Sequence, residues 1–182
     1  MPSSHLSAAV KDTASAVENT ASPDELASPP VESPTVVQVV QTLPDLEALI
    51  AGLTLNTTGA ACVFAGLVRG ETLRDDPHET TRLEYDAYVP MAEAKLAQVA
   101  AEMRERWPEI QGLAIVHRVG TMDVGLPIVY VACTSAHRDT GLFEATKYGI
   151  DRLKEIVPIW KKEIGTLGEV WVEGEYQPKA GE

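Results

Sequence analysis

Pro108 and Pro158 each close a run of apolar residues at helical spacing, and these two stops fix the grammar of the chain. The first run opens at Pro90 and carries Met91, Ala94, Leu96, Val99 and Met103. The second starts at Asp139 and carries Leu142, Thr146, Gly149, Ile150, Leu153 and Val157. Proline lacks the donor and the space a continuing helix needs, so each run predicts a helix that ends before it. Between and around them lie strand-like segments: Val36 to Val40, Ala60 to Val68, the alternating Leu83, Tyr85 and Ala87, Leu113 to Val119, Ile128 to Thr134, Ile159 to Glu163 and Val170 to Glu173. A short helix opens at Pro44 and ends near Gly52, and Gly70 to Thr80 reads as a charged, mobile loop. This order predicts an α+β fold, one mixed sheet with helices on one face.

Of the 182 residues, 45% are apolar, enough for one domain with a core and too few for two. Met1 to about Pro34 is rich in Ser, Ala, Pro, Thr and acids and reads as a disordered acidic tail, with the domain spanning 35–182. The tail has no arginine, unlike an organellar transit peptide, and no apolar run resembles a signal or membrane helix, so a cytoplasmic protein is expected. A formal charge of -12 disfavours nucleic acid and anionic membranes as partners. Cys62 and Cys133 fit neither a zinc pattern nor a redox motif and read as structural thiols.

Fourteen of the fifteen Lys and Arg residues lie at or beyond Arg69, so a local basic pocket is available to an anion. Ser135-Ala136-His137-Arg138 stands where a strand gives way to a helix, a place where backbone N–H groups and cationic side chains can converge on phosphate. The same segment also serves as a capped helix start with His137 and Arg138 in solvent. Lys154 shares a stripe with Phe143, Lys147, Ile150 and Val157, on the border of the apolar face. Partial desolvation there would lower its pKa and suit it to proton transfer, whereas a snorkelling lysine explains the same spacing. On the extended segment after Pro158, Lys161 shares a side with Ile159 and Glu163 while Lys162 points the other way; Trp160 reads as a core anchor. Arg69 ends a strand at the edge of the loop.

Phe64-Ala65-Gly66-Leu67-Val68-Arg69, Leu83 to Tyr88 with Met91-Ala92, His117-Arg118-Val119-Gly120, Thr134 to Arg138 and Pro158 to Glu163 together resemble the large-subunit family of molybdopterin synthases, from about Val36 to Glu173. The resemblance implies an α/β hammerhead-type fold and a homodimer. A small ubiquitin-like subunit at each end would complete a heterotetramer, its C-terminal Gly-Gly thiocarboxylate the sulfur donor. The resemblance further implies that two sulfurs would pass in turn to cyclic pyranopterin monophosphate, forming the dithiolene, and no metal or cofactor of the chain's own is expected. By position the resemblance makes Lys154 and Lys161 catalytic, and Leu67, Val68, Arg69, His137, Arg138, Lys162 and Glu163 substrate-binding together with them. Asp86 and Thr146 depart conservatively from the family pattern. A non-catalytic module that holds an anionic protein tail is the competing expectation. A metal-dependent phosphatase or kinase lacks its Gly-rich loop and paired aspartates.

Overall fold

A computed structural model describes residues 33–72, 78–165 and 168–172. The chain divides into units Met1–Val31 and Glu32–Glu182, and every described residue belongs to the second. The expected tail, apart from Ser33 and Pro34, lies outside the described residues, as does Glu173.

The elements follow in the order β1 (Thr35–Val40), α1 (Leu46–Gly52), β2 (Ala60–Leu67), β3 (Glu71–Thr72), β4 (His78–Glu79), β5 (Arg82–Ala87), α2 (Val89–Arg106), β6 (Ile110–Arg118), β7 (Gly120–Asp123), β8 (Pro127–Ser135), α3 (Leu142–Ile156), β9 (Ile159–Gly165) and β10 (Gly168–Val172). The pairing is mixed, as expected, and mainly antiparallel, with β1 parallel to β6. Among the described residues it is divided, however, between two four-stranded sheets, β1-β6-β8-β2 and β10-β9-β5-β7, while β3 pairs only with β4. β7 was hidden in the connection after Val119: Gly120, at φ 94, turns the chain out of β6, and Gly120–Asp123 pairs with β5 in the second sheet.

Helices cover both faces of the first sheet rather than one. Ala92, Leu96, Val99 and Met103 of α2 and Leu142, Ala145, Ile150 and Leu153 of α3 pack on Leu113, Ile115, Val129, Val131 and Cys133. Leu49 and Leu53, from α1 and its end, pack on Ala114, Tyr130 and Ala132, which point the opposite way. This is why β6 and β8 read as nearly continuous apolar runs. Each fully buried side chain such as Leu96 or Ile115 contributes about 1.5–3 kcal/mol. Arg152 of α3 clamps Glu102 of α2 through Nε and Nη2 at 2.9 and 3.2 Å, and chiefly for that reason the Glu102 carboxyl is held down at about 2.

α1 begins after Asp45, whose side chain accepts from Ala48 N–H at 2.9 Å, rather than at Pro44. α3 begins at Leu142 rather than Asp139. Gly141 precedes it at φ 80 with the Trp107 ring where a Cβ would stand, so glycine sets this start. Cys62 and Cys133 are direct register partners across β2 and β8; both are free thiols, and burial pushes Cys133 up to about 11.

Candidate functional site

β5 and β9 pair so that Tyr85 stands opposite Lys161 and Leu83 opposite Glu163, and the strand period puts all four on one face of the second sheet. Lys161 therefore shares a side with Glu163, as its spacing implies, and Lys161 Nζ lies 2.8 Å from Glu163 Oε1. The other carboxylate oxygen, Oε2, meets His78 Nε2 from β4. Only 8% of Glu163 is exposed. Burial would raise its carboxyl, but hydrogen bonds from Lys161 and His78 overcome this and hold it below the ordinary carboxylate range.

Tyr85 extends the cluster. Burial pushes its phenol up to about 12, with the Glu163 charge adding to the rise and Arg69 opposing it. Arg69 is thus electrostatically coupled to the face that holds Lys161 and Glu163. The Tyr85 ring meets His117 edge-on at 5.4 Å between centroids. His117 is buried, its Nδ1 2.8 Å from the Arg118 carbonyl, and burial pushes it down to about 4 against that hydrogen bond.

A histidine depressed from about 6.5 stabilises the fold fully above its unfolded value, and this contribution fades as pH falls toward the folded one. We expect His117 to cost about 2 kcal/mol of stability by about pH 5 relative to neutrality. Urea unfolding at several pH values checks this: His117→Gln flattens that part of the acid slope, and an unchanged slope removes His117 as its cause.

Lys162 does not join Lys161. On the opposite face it meets Glu84 Oε2 at 2.7 Å and Glu169 Oε2 at 3.2 Å, with its Nζ 5.5 Å from the Trp171 ring centroid. Hydrogen bonds to these two carboxylates raise its pKa. Trp160, on that same face, is 46% exposed and is not the core anchor its size suggests.

Among Leu67, Val68 and Arg69, only the outer two have exposed side chains. Val68 is buried with Leu83, Met122 and Ile128, its N–H donates to Leu126 O at 3.0 Å, and its carbonyl accepts from Gly125 N–H at 2.9 Å. Leu67 is 55% exposed. Arg69 is exposed beyond the end of β2.

Lys154 lies in the last turn of α3 and is exposed, so the partial desolvation expected at the border of the apolar stripe is absent from a single chain. Among the described residues, Arg69, Arg138 and Lys154 are cations with no carboxylate, carbonyl or aromatic-ring contact. The others are engaged: Arg82 with Asp123, Lys147 with Asp151, Arg152 with Glu102, Arg104 and Arg118 with carbonyls and Arg106 with Tyr148.

Of the expected site residues, His137 and Arg138 do not meet Arg69, Lys154 and Lys161 within one chain. Thr146 lies beside the Cys133 thiol and Gly149 packs on Val131, so α3 runs back along β8 and carries Lys154 toward the start of β8 and the end of β2. His137 and Arg138 lie beyond the other end of β8, where the Ala136 carbonyl abuts Gly59 before β2 begins. The nine residues of β8 span roughly 26 Å. An open depression of about 480 Å³ at that far end is lined by Arg138, Asp139, Gly141, Phe143 and Glu144. The exposed His137-Arg138 pair precedes α3 without capping it. Its His137 carbonyl accepts from Ser135 Oγ at 2.7 Å and Thr140 Oγ1 at 2.9 Å.

Spacing gave no sign of His78, which is 85 residues from Glu163. Tyr85 was readable as a strand residue alternating with Leu83, but not as a neighbour of Lys161.

No helix among the described residues is long and apolar enough to cross a membrane. A family profile described as MoaE protein matches residues 39–156. The molybdopterin synthase catalytic subunit of Bacillus subtilis (strain 168) is 43% identical over 135 residues, 74% of this chain and 83% of the relative. The X-ray crystal structure of molybdopterin synthase from Staphylococcus aureus superposes with a TM-score of 0.68 at 39% identity, covering 75% of this chain and 96% of that one. A Helicobacter pylori 26695 structure, a protein-protein complex of subunits 1 and 2 of molybdopterin-converting factor, shares the fold at a TM-score of 0.62 and 20% identity, over 79% and 94% of the two chains. The profile match over residues 39–156 and the coverage of these relatives establish that the chain belongs to the MoaE family of molybdopterin synthase catalytic subunits.

Proposed function

We propose that this chain transfers two sulfurs from the C-terminal Gly-Gly thiocarboxylate of a small ubiquitin-like subunit to cyclic pyranopterin monophosphate, working in the cytoplasm as a sulfurtransferase. The observation that carries the reading is the set of cations left without partners, Arg69, Arg138 and Lys154 among the described residues, beside a Lys161 tied only to Glu163. An acidic chain keeps unpaired cations at a cost in neither packing nor ion pairing when their partner is an anion that arrives from solution. Here both reactants are anions.

Because His137 and Arg138 stand at one end of β8 and Arg69, Lys154 and Lys161 toward the other, we assign one site to two copies of the chain. A two-fold axis brings the first pair of one copy to the lysines of the other. Lys154 and Lys161 together move protons and stabilise developing negative charge; the arginines and His137 hold the phosphate and pterin, with Leu67 and the backbone around Glu163 at the margin. Val68 and Lys162 contribute by packing and by fixing β9 in register. A small subunit docked at each copy completes the heterotetramer, an assembly in keeping with the fold relative solved as a complex of two subunits.

One observation favours the competing reading of a binding module: Lys154 is exposed, so its desolvation is not a reason for catalysis in the lone chain. Reconstitution decides between them. Mixed with thiocarboxylated small subunit and cyclic pyranopterin, the chain is expected to yield dithiolene at two sulfurs per product; binding of the small subunit without product establishes the module instead.

A further inference from the structure

We propose that His78 is a positioning residue that sets the reactivity of Lys161 by sharing the Glu163 carboxylate with it. The inference rests on the assignment of Lys161 to the site, but its test needs no turnover.

Glu163 is nearly buried and divides its two oxygens between two donors, Lys161 Nζ on Oε1 and His78 Nε2 on Oε2. The side chains of Lys161 and His78 are themselves largely shielded, at 26% and 33% exposure. His78 is held over β9 by its own segment. Thr81 N–H and Oγ1 both donate to the Ile164 carbonyl at 2.9 and 2.8 Å, and Glu79 O presses against Gly165 so closely that no Cβ fits between them. Thr80 N–H donates to Gly70 O at 2.9 Å, which ties the same segment to the residue after Arg69. Residues 78–81 thus strap the end of β2 to the end of β9, and His78 is the side chain this strap lays on the carboxylate.

The consequence follows from electrostatics. A carboxylate that donates its full charge to one ammonium holds that proton tightly; one that also accepts from an imidazole N–H holds it less tightly. The other titratable or charged groups nearby are fixed in kind: Tyr85, on this face, is a neutral phenol, and Arg69, whose charge is felt at Tyr85 from beyond the end of β2, is a permanent cation. His78 is the variable partner. Removing it leaves Glu163 to Lys161 alone and makes Lys161 a poorer proton donor and nucleophile. Removing the carboxylate does the reverse.

Substoichiometric acetic anhydride, with fragmentation mass spectrometry to separate Lys161 from Lys162, reads this directly at one mildly alkaline pH. Lys162, on the opposite face and paired with Glu84 and Glu169, is the internal reference. The expected order of Lys161 labelling is Glu163→Gln fastest, then the natural chain, then His78→Gln, then His78→Ala, the last about threefold slower than the natural chain. Any other order overturns the proposal. If His78→Ala unfolds, Lys162 labelling rises with it and His78→Gln alone decides: at the natural rate or above, the proposal falls. Failure here with normal dithiolene formation rejects the role of His78, whereas the expected order in a chain that forms no dithiolene rejects the sulfur-transfer reading.

Discussion

Replacing Lys154 with alanine is expected to lower the rate of dithiolene formation roughly a thousandfold while leaving the fold intact. The two halves of that expectation have separate causes. Lys154 is exposed in the last turn of α3 and makes no ion pair among the described residues, so its loss removes no packing and moves the thermal midpoint little. Its value lies wholly in what arrives. On the proposed reading, a thiocarboxylate tail and a cyclic phosphate would both bring negative charge to the end of α3, and Leu153, Ile156 and Val157 anchor this turn in the core, so the ammonium is presented from a rigid base. A residue that acts only on the reacting atoms lowers kcat with little change in KM; one that merely attracts the anion raises KM. Lys154→Arg separates the roles further, since arginine keeps the charge but does not surrender a proton at neutral pH. Full activity of Lys154→Ala in the reconstituted assay would end the catalytic assignment, and a change confined to KM would reduce Lys154 to a binding residue.

Local periodicity made much of this arrangement readable, and its limits are physical. Lys161 and Glu163 could be placed on one side of β9, with Lys162 on the other, because a strand alternates faces at every residue. Helix ends set by Pro108 and Pro158 were readable for the same local reason. What spacing does not encode is which strand lies beside which. The contact between His78 and Glu163 spans 85 residues, and the facing of Cys62 and Cys133 depends on a register between strands far apart in the chain. The size of Trp160 predicts burial only where a second layer covers the sheet; here the face with Lys162 and Trp171 is open in the single chain. The exposure of Lys154 has the same origin: its stripe was legible, whereas whether anything packs over the stripe is a property of assembly. The separation of His137-Arg138 from the lysines likewise appears only once α3 is seen to run back along β8.

That separation makes a second large effect accessible. On the proposed reading of one site shared between two copies, Arg138→Ala and Lys154→Ala, each nearly inactive alone, are expected to restore activity when combined in one dimer. If a site takes Arg138 from one copy and Lys154 from the other, a mixed dimer has one site with both defects and one with neither, so its activity is about half that of the natural dimer. Co-expression with two different tags and sequential purification isolates the mixed dimer, and thiocarboxylated small subunit with cyclic pyranopterin reads it. A site contained within one chain gives a different result, because each copy then carries a defect in its own site and the mixed dimer stays as inactive as its parents. The roughly 26 Å spanned by β8 makes the choice sharp: the His137-Arg138 connection and the last turn of α3 belong to opposite ends of the same strand, and side chains that reach about 6–7 Å do not close that gap. The pairing also has a built-in control. Lys154→Ala combined with Lys161→Ala places both defects toward the same end of the fold. Its mixed dimer is expected to stay inactive if the two-fold axis joins unlike ends, since the site built on either copy then lacks one lysine.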